Sequence, residues 1–177
     1  MPTCNGSERA PIPGQPVLLY LRMVPVWVFV DEVRHFVESF CACAGIGPER
    51  EGQLALASHE LMQNAITNGA SADVELRLAI DAAADRVEVS LTNTCAPGQA
   101  DRLRARVAKL QEDEPLTSYV AAMSADPKAP GGLGLARVRY EAQLELEVFE
   151  VGDRLTVSAK GKLNPAQLSA ATGVGHG

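Results

Sequence analysis

Val17, Leu19 and Leu21 alternate with other residues at a period of two, which predicts a strand beginning near Val17. Pro25 breaks the alternation before a second apolar run, Val26-Trp27-Val28-Phe29-Val30. Arg22 and Pro25 divide the stretch from Val17 to Val30, and it is too short to cross a bilayer as a helix, so buried strand and loop are expected there. Asp31 is an expected N-cap. Val33, Phe36, Val37, Phe40 and Ala44 then recur at helical spacing, an amphipathic first helix ended by Gly45 and Gly47. Pro48 at a first helical position, with Glu49 and Glu51 in the first turn, starts a second helix. Leu54, Ala57, Leu61 and Ala65 are its expected buried stripe, and Asn68-Gly69 its end.

The runs Val74-Leu76-Leu78-Ile80 and Val87-Val89-Leu91, separated by Asp81 to Arg86, predict a hairpin. Ala100, Leu103, Val107 and Leu110 mark another helix, and Leu116, Val120 and Met123 a short one. Gln111 to Pro130 is otherwise acidic and weakly patterned, as expected of a mobile loop lying over a site as a lid. A helix from about Leu133 to Tyr140 leads to Leu144-Leu146-Val148 and, past Val151-Gly152-Asp153, to Leu155-Val157, a closing hairpin. Strands and helices mixed without a strict βαβ repeat predict one sheet with helices on one face, an α+β fold. Residues 1–16, with four prolines, are expected to be a flexible arm, 17–162 the domain, and 163–177 a fraying tail.

Composition narrows the function. The chain has 177 residues, enough for one domain with a sizeable core. Sixteen basic against 22 acidic residues give a net charge of -6, which opposes a nucleic-acid binder or an anionic-membrane surface protein. The four cysteines, at 4, 41, 43 and 95, show no C-x-x-C spacing, and no secretory leader pattern opens the chain, so reduced thiols in a cytoplasm are expected. Cys41 and Cys43, two apart on a helix, point different ways and make poor joint metal ligands.

Two segments carry candidate chemistry. Glu60 and Asn64 lie four apart within His59-Glu60-Leu61-Met62-Gln63-Asn64-Ala65-Ile66, so they share one helix face at the edge of the buried stripe. A carboxylate there can accept a hydroxyl proton, and a carboxamide oxygen suits Mg²⁺. Taken alone, the pair reads equally as a solvated glutamate beside a packing or capping asparagine. Gly131, Gly132 and Gly134, ahead of a helix, let backbone N–H groups approach phosphate, or else let the helix pack closely. The segment is neither a dinucleotide fingerprint, since Arg137 stands at the last glycine, nor a Walker loop. Arg137 is placed either to reach a phosphate or to sit as a surface cation. His59 reads as a core-edge or surface histidine.

In this order and spacing, the two motifs and the elements between them resemble the GHKL superfamily of ATPases and kinases, with the Bergerat ATP-binding fold. Small size, an early strand and an amphipathic first helix make the chain most similar to the anti-sigma-factor serine kinases of bacterial partner-switching systems and to SiaB-type kinases. The resemblance covers about residues 17 to 160. It implies a two-layer sandwich whose single sheet is mixed and mostly antiparallel. It also implies that Glu60 is the general base, Asn64 the Mg²⁺ ligand, Asn68 a residue facing the nucleotide, and Gly131, Gly132 and Gly134 the phosphate-binding glycine box. Where the family carries Asp-x-Gly-x-Gly to recognise adenine, this chain reads Thr92-Asn93-Thr94-Cys95-Ala96-Pro97-Gly98. Asn93 is the nearest substitute, an uncharged acceptor. The closing strand lacks Gly-x-Gly-Thr, and Thr156, between Leu155 and Val157, is expected to face away from the pocket. The implied function is that of a cytoplasmic regulator that binds ATP and Mg²⁺ and phosphorylates or sequesters a protein partner, in a group whose members often form homodimers. The eroded adenine segment equally implies a pseudo-kinase that binds proteins without nucleotide.

Overall fold

Five strands and five helices follow the predicted order in the computed structural model, which describes residues 16–68, 73–124 and 132–165. Strand β1 is Val17–Met23, and helices α1 and α2 are Val28–Cys43 and Pro48–Asn68. The hairpin β2 (Val74–Asp81) and β3 (Arg86–Thr94) is followed by α3 (Gln99–Gln111), α4 (Pro115–Ser124) and α5 (Leu133–Tyr140). The closing hairpin is β4 (Glu145–Val151) and β5 (Arg154–Lys162). The expected arm and tail fall almost wholly outside the described residues, as do Gly69 and Gly131.

The strands form one antiparallel sheet in the order β1-β2-β3-β5-β4. The mixed sheet implied by the resemblance is therefore wholly antiparallel among the described strands. Register follows the alternation: Leu19 opposes Leu78, Leu76 opposes Leu91, and Leu91 opposes Val157, so one face is continuously apolar. The helices cover that face, with α2 over β3 and α1 and α5 beside α2. Leu54, Leu61, Met62, Leu76, Leu78, Leu91 and Leu155 fill the space between the layers. Ala55, Leu56 and Met62 are buried beyond the predicted stripe of α2, because neighbouring helices close its flanks. Among the described residues, no helix is long and apolar enough to cross a membrane.

Four expectations need correction. Helix α1 begins at Val28, so Asp31 lies in its first turn rather than at its cap, where its charge still meets the positive end of the helix. Trp27, Val28 and Phe29 are exposed, not buried strand, and Phe36 leaves the stripe at 48% exposure; Val30, Val33, Val37 and Cys41 form the buried face instead. Within the expected loop the predicted short helix is present as Pro115–Ser124, but its Leu116, Val120 and Met123 face outward. It is seated by Ser118, which donates to Leu110 O at 2.8 Å. Cys41 and Cys95 are free thiols, burial pushing Cys41 up to about 12, whereas Cys43, exposed in the last turn of α1, is disulfide-bonded.

Candidate functional site

Helix α2 packs against α5 at Glu60, and that contact joins the two predicted segments. Glu60 is only 6% exposed although it is a carboxylate in mid-helix. A buried charge needs a partner. The partner is Arg137 in α5, whose Nη1 donates to Glu60 Oε1 at 2.5 Å. The other oxygen faces Gly134, where a Cβ would stand 2.5 Å from Oε2. Gly134 is thus a glycine by necessity of contact, in the first turn of α5. Gly132, its N-cap, has a φ of -122° and open space at its Cβ position.

Arg137 divides its fork between two carboxylates. Its Nε and Nη2 donate to Glu141 Oε1 and Oε2 at 3.0 and 3.2 Å. Tyr119 of α4 interacts with the Glu141 carboxylate, and its ring stacks on Tyr140 with centroids 5.0 Å apart. The Arg137 bond, with the Tyr119 interaction, holds Glu141 below the ordinary carboxylate range. The carboxylate in turn raises the Tyr119 hydroxyl and raises Arg137. His59 lies beside this cluster, its Nδ1 3.9 Å from Glu60 Oε1 and its Nε2 3.4 Å from Asp31.

One turn beyond Glu60, Asn64 is half-buried, and its Oδ1 accepts from Asn68 Nδ2 at 3.0 Å. Asn68 itself is exposed, and its backbone oxygen accepts from Gln99 Nε2 at 2.6 Å. Gln99 Oε1 accepts from Ala96 N at 3.0 Å, so this one side chain ties the end of α2 to the segment after β3. Asn93, on β3, is 3% exposed, and its Nδ2 donates to Thr94 O at 3.0 Å. Thr156 sits on the sheet face opposite Leu155 and Val157, paired with Thr92 across the ladder at 2.8 Å. The structure therefore brings Glu60, Gly134 and Arg137 into contact and groups Asn64 with Asn68.

Sequence reasoning passed over Glu141, Tyr119 and Gln99. The Arg137–Glu141 pair had a readable signal, opposite charges four apart on a helix. Tyr119 and Gln99 act across segments distant in the chain, which no spacing reveals.

Residues 29–143 match the family described as "Histidine kinase-like ATPase domain". The fold is similar to a chain in "The crystal structure of SiaB-SiaC complex from Pseudomonas aeruginosa", with a TM-score of 0.61 over 81% of this chain and 88% of that chain. Sequence identity to it is 15%, so the likeness is one of fold. No curated protein matches the sequence.

Proposed function

The chain belongs to the histidine kinase-like ATPase domain family, and from that premise we propose that it is a regulator that binds ATP with Mg²⁺ between α2 and the start of α5 and phosphorylates or sequesters a protein partner. The observation that carries this reading is the contact of Glu60 with the first turn of α5, one helical turn before Asn64. A carboxylate and a hard oxygen donor share one side of α2, and a helix N-terminus is brought against them. Asn64 fits Mg²⁺: among the described residues its Oδ1 is held by the exposed amide of Asn68, a partner an ion displaces. The ion, when bound, would neutralise phosphate charge.

The chain's own residues supply the rest. Glu60 accepts the proton of the attacking hydroxyl, Arg137 and the backbone of Gly131, Gly132 and Gly134 meet phosphate, and Asn68 lies toward the nucleotide. Asn93 offers Oδ1 to an adenine amino group while its Nδ2 stays on Thr94. A solved structure of similar fold comes from a complex named for two proteins, SiaB and SiaC, which supports a protein partner and a partner-switching role. The same reading sets the protein in the cytoplasm. An open β1 edge beside exposed Tyr20, Trp27 and Phe29 supports a homodimer.

Calorimetry with ATP tests the reading. Wild type is expected to bind only with Mg²⁺ present, and Asn64→Ala to bind at least tenfold more weakly, the loss of one ion ligand. A wild type that gives no heat and no thermal shift sinks it. A second reading, a pseudo-kinase that binds proteins without nucleotide, is favoured by the burial of Glu60 and the engagement of its Oε1 by Arg137. Partner capture unchanged by ATP and by Glu60→Ala would support that reading instead.

A further inference from the structure

We propose that Arg137 is a latch on Glu60, and that Tyr119 in α4 sets the latch through Glu141. The inference rests on the reading of Glu60 as the proton acceptor of a phosphoryl-transfer site. An acceptor must present an oxygen to the hydroxyl it serves. Here Oε1 is taken by a guanidinium N–H at 2.5 Å, and Glu60 is only 6% exposed, with Oε2 facing Gly134. In this arrangement no hydroxyl reaches Glu60 until Arg137 turns away.

What keeps Arg137 turned inward is the other half of its fork. Nε and Nη2 bind both oxygens of Glu141, and a planar guanidinium held at two points has only one direction left for Nη1. That direction is Glu60. Glu141 follows α5 in the chain, and Tyr119 reaches it from α4 with its ring on Tyr140. The seat of α4 is therefore linked through Tyr119, Glu141 and Arg137 to the oxygen of Glu60. A phosphate at the start of α5 competes for the same guanidinium, so nucleotide arrival and release of Glu60 are one event. Tyr119 and Glu141 act in this scheme as positioning residues.

The test uses the full chain, Mg·ATP, and the variants Tyr119→Phe and Glu141→Gln. Each is expected to lower the KM for Mg·ATP roughly three- to tenfold, the scale of one charge-assisted hydrogen bond that the arriving phosphate no longer has to break, while kcat stays within about twofold. The double variant is expected to gain no more than the larger single effect, because both act on one latch. An unchanged KM, or a KM that rises, overturns the proposal. A readout without nucleotide separates this failure from that of the function. Thermal stabilities of Tyr119→Phe, Arg137→Lys and their combination are expected to be non-additive, and additivity overturns the latch. Absence of nucleotide binding in every variant overturns the proposed function and leaves the stability cycle to decide the coupling.

Discussion

Gly134 is the residue at which the two candidate segments meet, and its role bears on two readings that the sequence left open. Glycines before a helix serve phosphate approach or close packing, and nothing in the local string says which helix a given glycine faces. The structure shows Gly134 against Glu60, with only 2.5 Å between a would-be Cβ and Oε2. Gly134→Ala is expected to destabilise the fold by about 1–3 kcal/mol, because Glu60 is buried and tied to Arg137 and cannot simply move aside. Helix propensity predicts the opposite sign, a gain of up to about 1 kcal/mol for alanine over glycine. Urea midpoints decide between them, and an alanine variant as stable as wild type refutes the clash. Adding Glu60→Ala to Gly134→Ala should recover part of the loss, since the collision partner is gone. At this scale Glu60, Asn64 and the glycines were legible as residue types, whereas the closure of Glu60 by Arg137 was not.

The elements were legible where one periodicity dominated. Helix α2 begins at Pro48 and ends at Asn68 as its proline, first-turn acids and stripe predict. The start of α1 was misread because apolar residues at 26–30 fit a strand as well as a first helical turn. A further tie between elements has no periodic signal at all. Arg50, in the first turn of α2, is 6% exposed; its Nη1 donates to Ala142 O at 2.7 Å and its Nη2 to Lys162 O at 2.5 Å. It fastens α2 to the turn before β4 and to the end of β5. Burial lowers its pKa, as expected of a cation bonded to carbonyls and not to a carboxylate. Gly161 leaves the room, since a Cβ there would meet Leu144 at 2.8 Å and Arg50 Nη2 at 3.4 Å. Arg50→Met keeps the aliphatic volume but strands two carbonyls, and is expected to cost about 2–4 kcal/mol in denaturant unfolding. A loss under about 1 kcal/mol would show that water replaces the guanidinium and that the tie is dispensable.

At the scale of the molecule, one discrepancy between sequence and structure points outward. The apolar stretch from Val17 to Val30 was expected to be buried strand and loop, yet Val24, Trp27, Val28 and Phe29 are exposed, while Leu18 and Tyr20 lie on the outer face that the alternation of β1 leaves to solvent. Trp27, Val28 and Phe29 open α1 next to β1, which ends the sheet among the described strands, and a groove of about 440 Å³ there is lined by Leu21, Met23, Phe29, Glu32, Val33 and Phe36. An edge strand with a free row of N–H and C=O groups next to an apolar patch is a pairing surface. A second copy satisfies both features together, because antiparallel β1–β1 pairing extends an already antiparallel sheet and brings the two patches together. Sedimentation at micromolar concentration is expected to show a dimer for the wild type. Phe29→Glu with Phe36→Glu should yield monomers with little change in thermal midpoint, since these rings are 45% and 48% exposed and contribute little to the core of one chain. A wild type that stays monomeric up to about 100 μM, a range where specific homodimers of ordinary affinity are formed, refutes the dimer. A dimer untouched by the two glutamates places its interface away from β1 and α1.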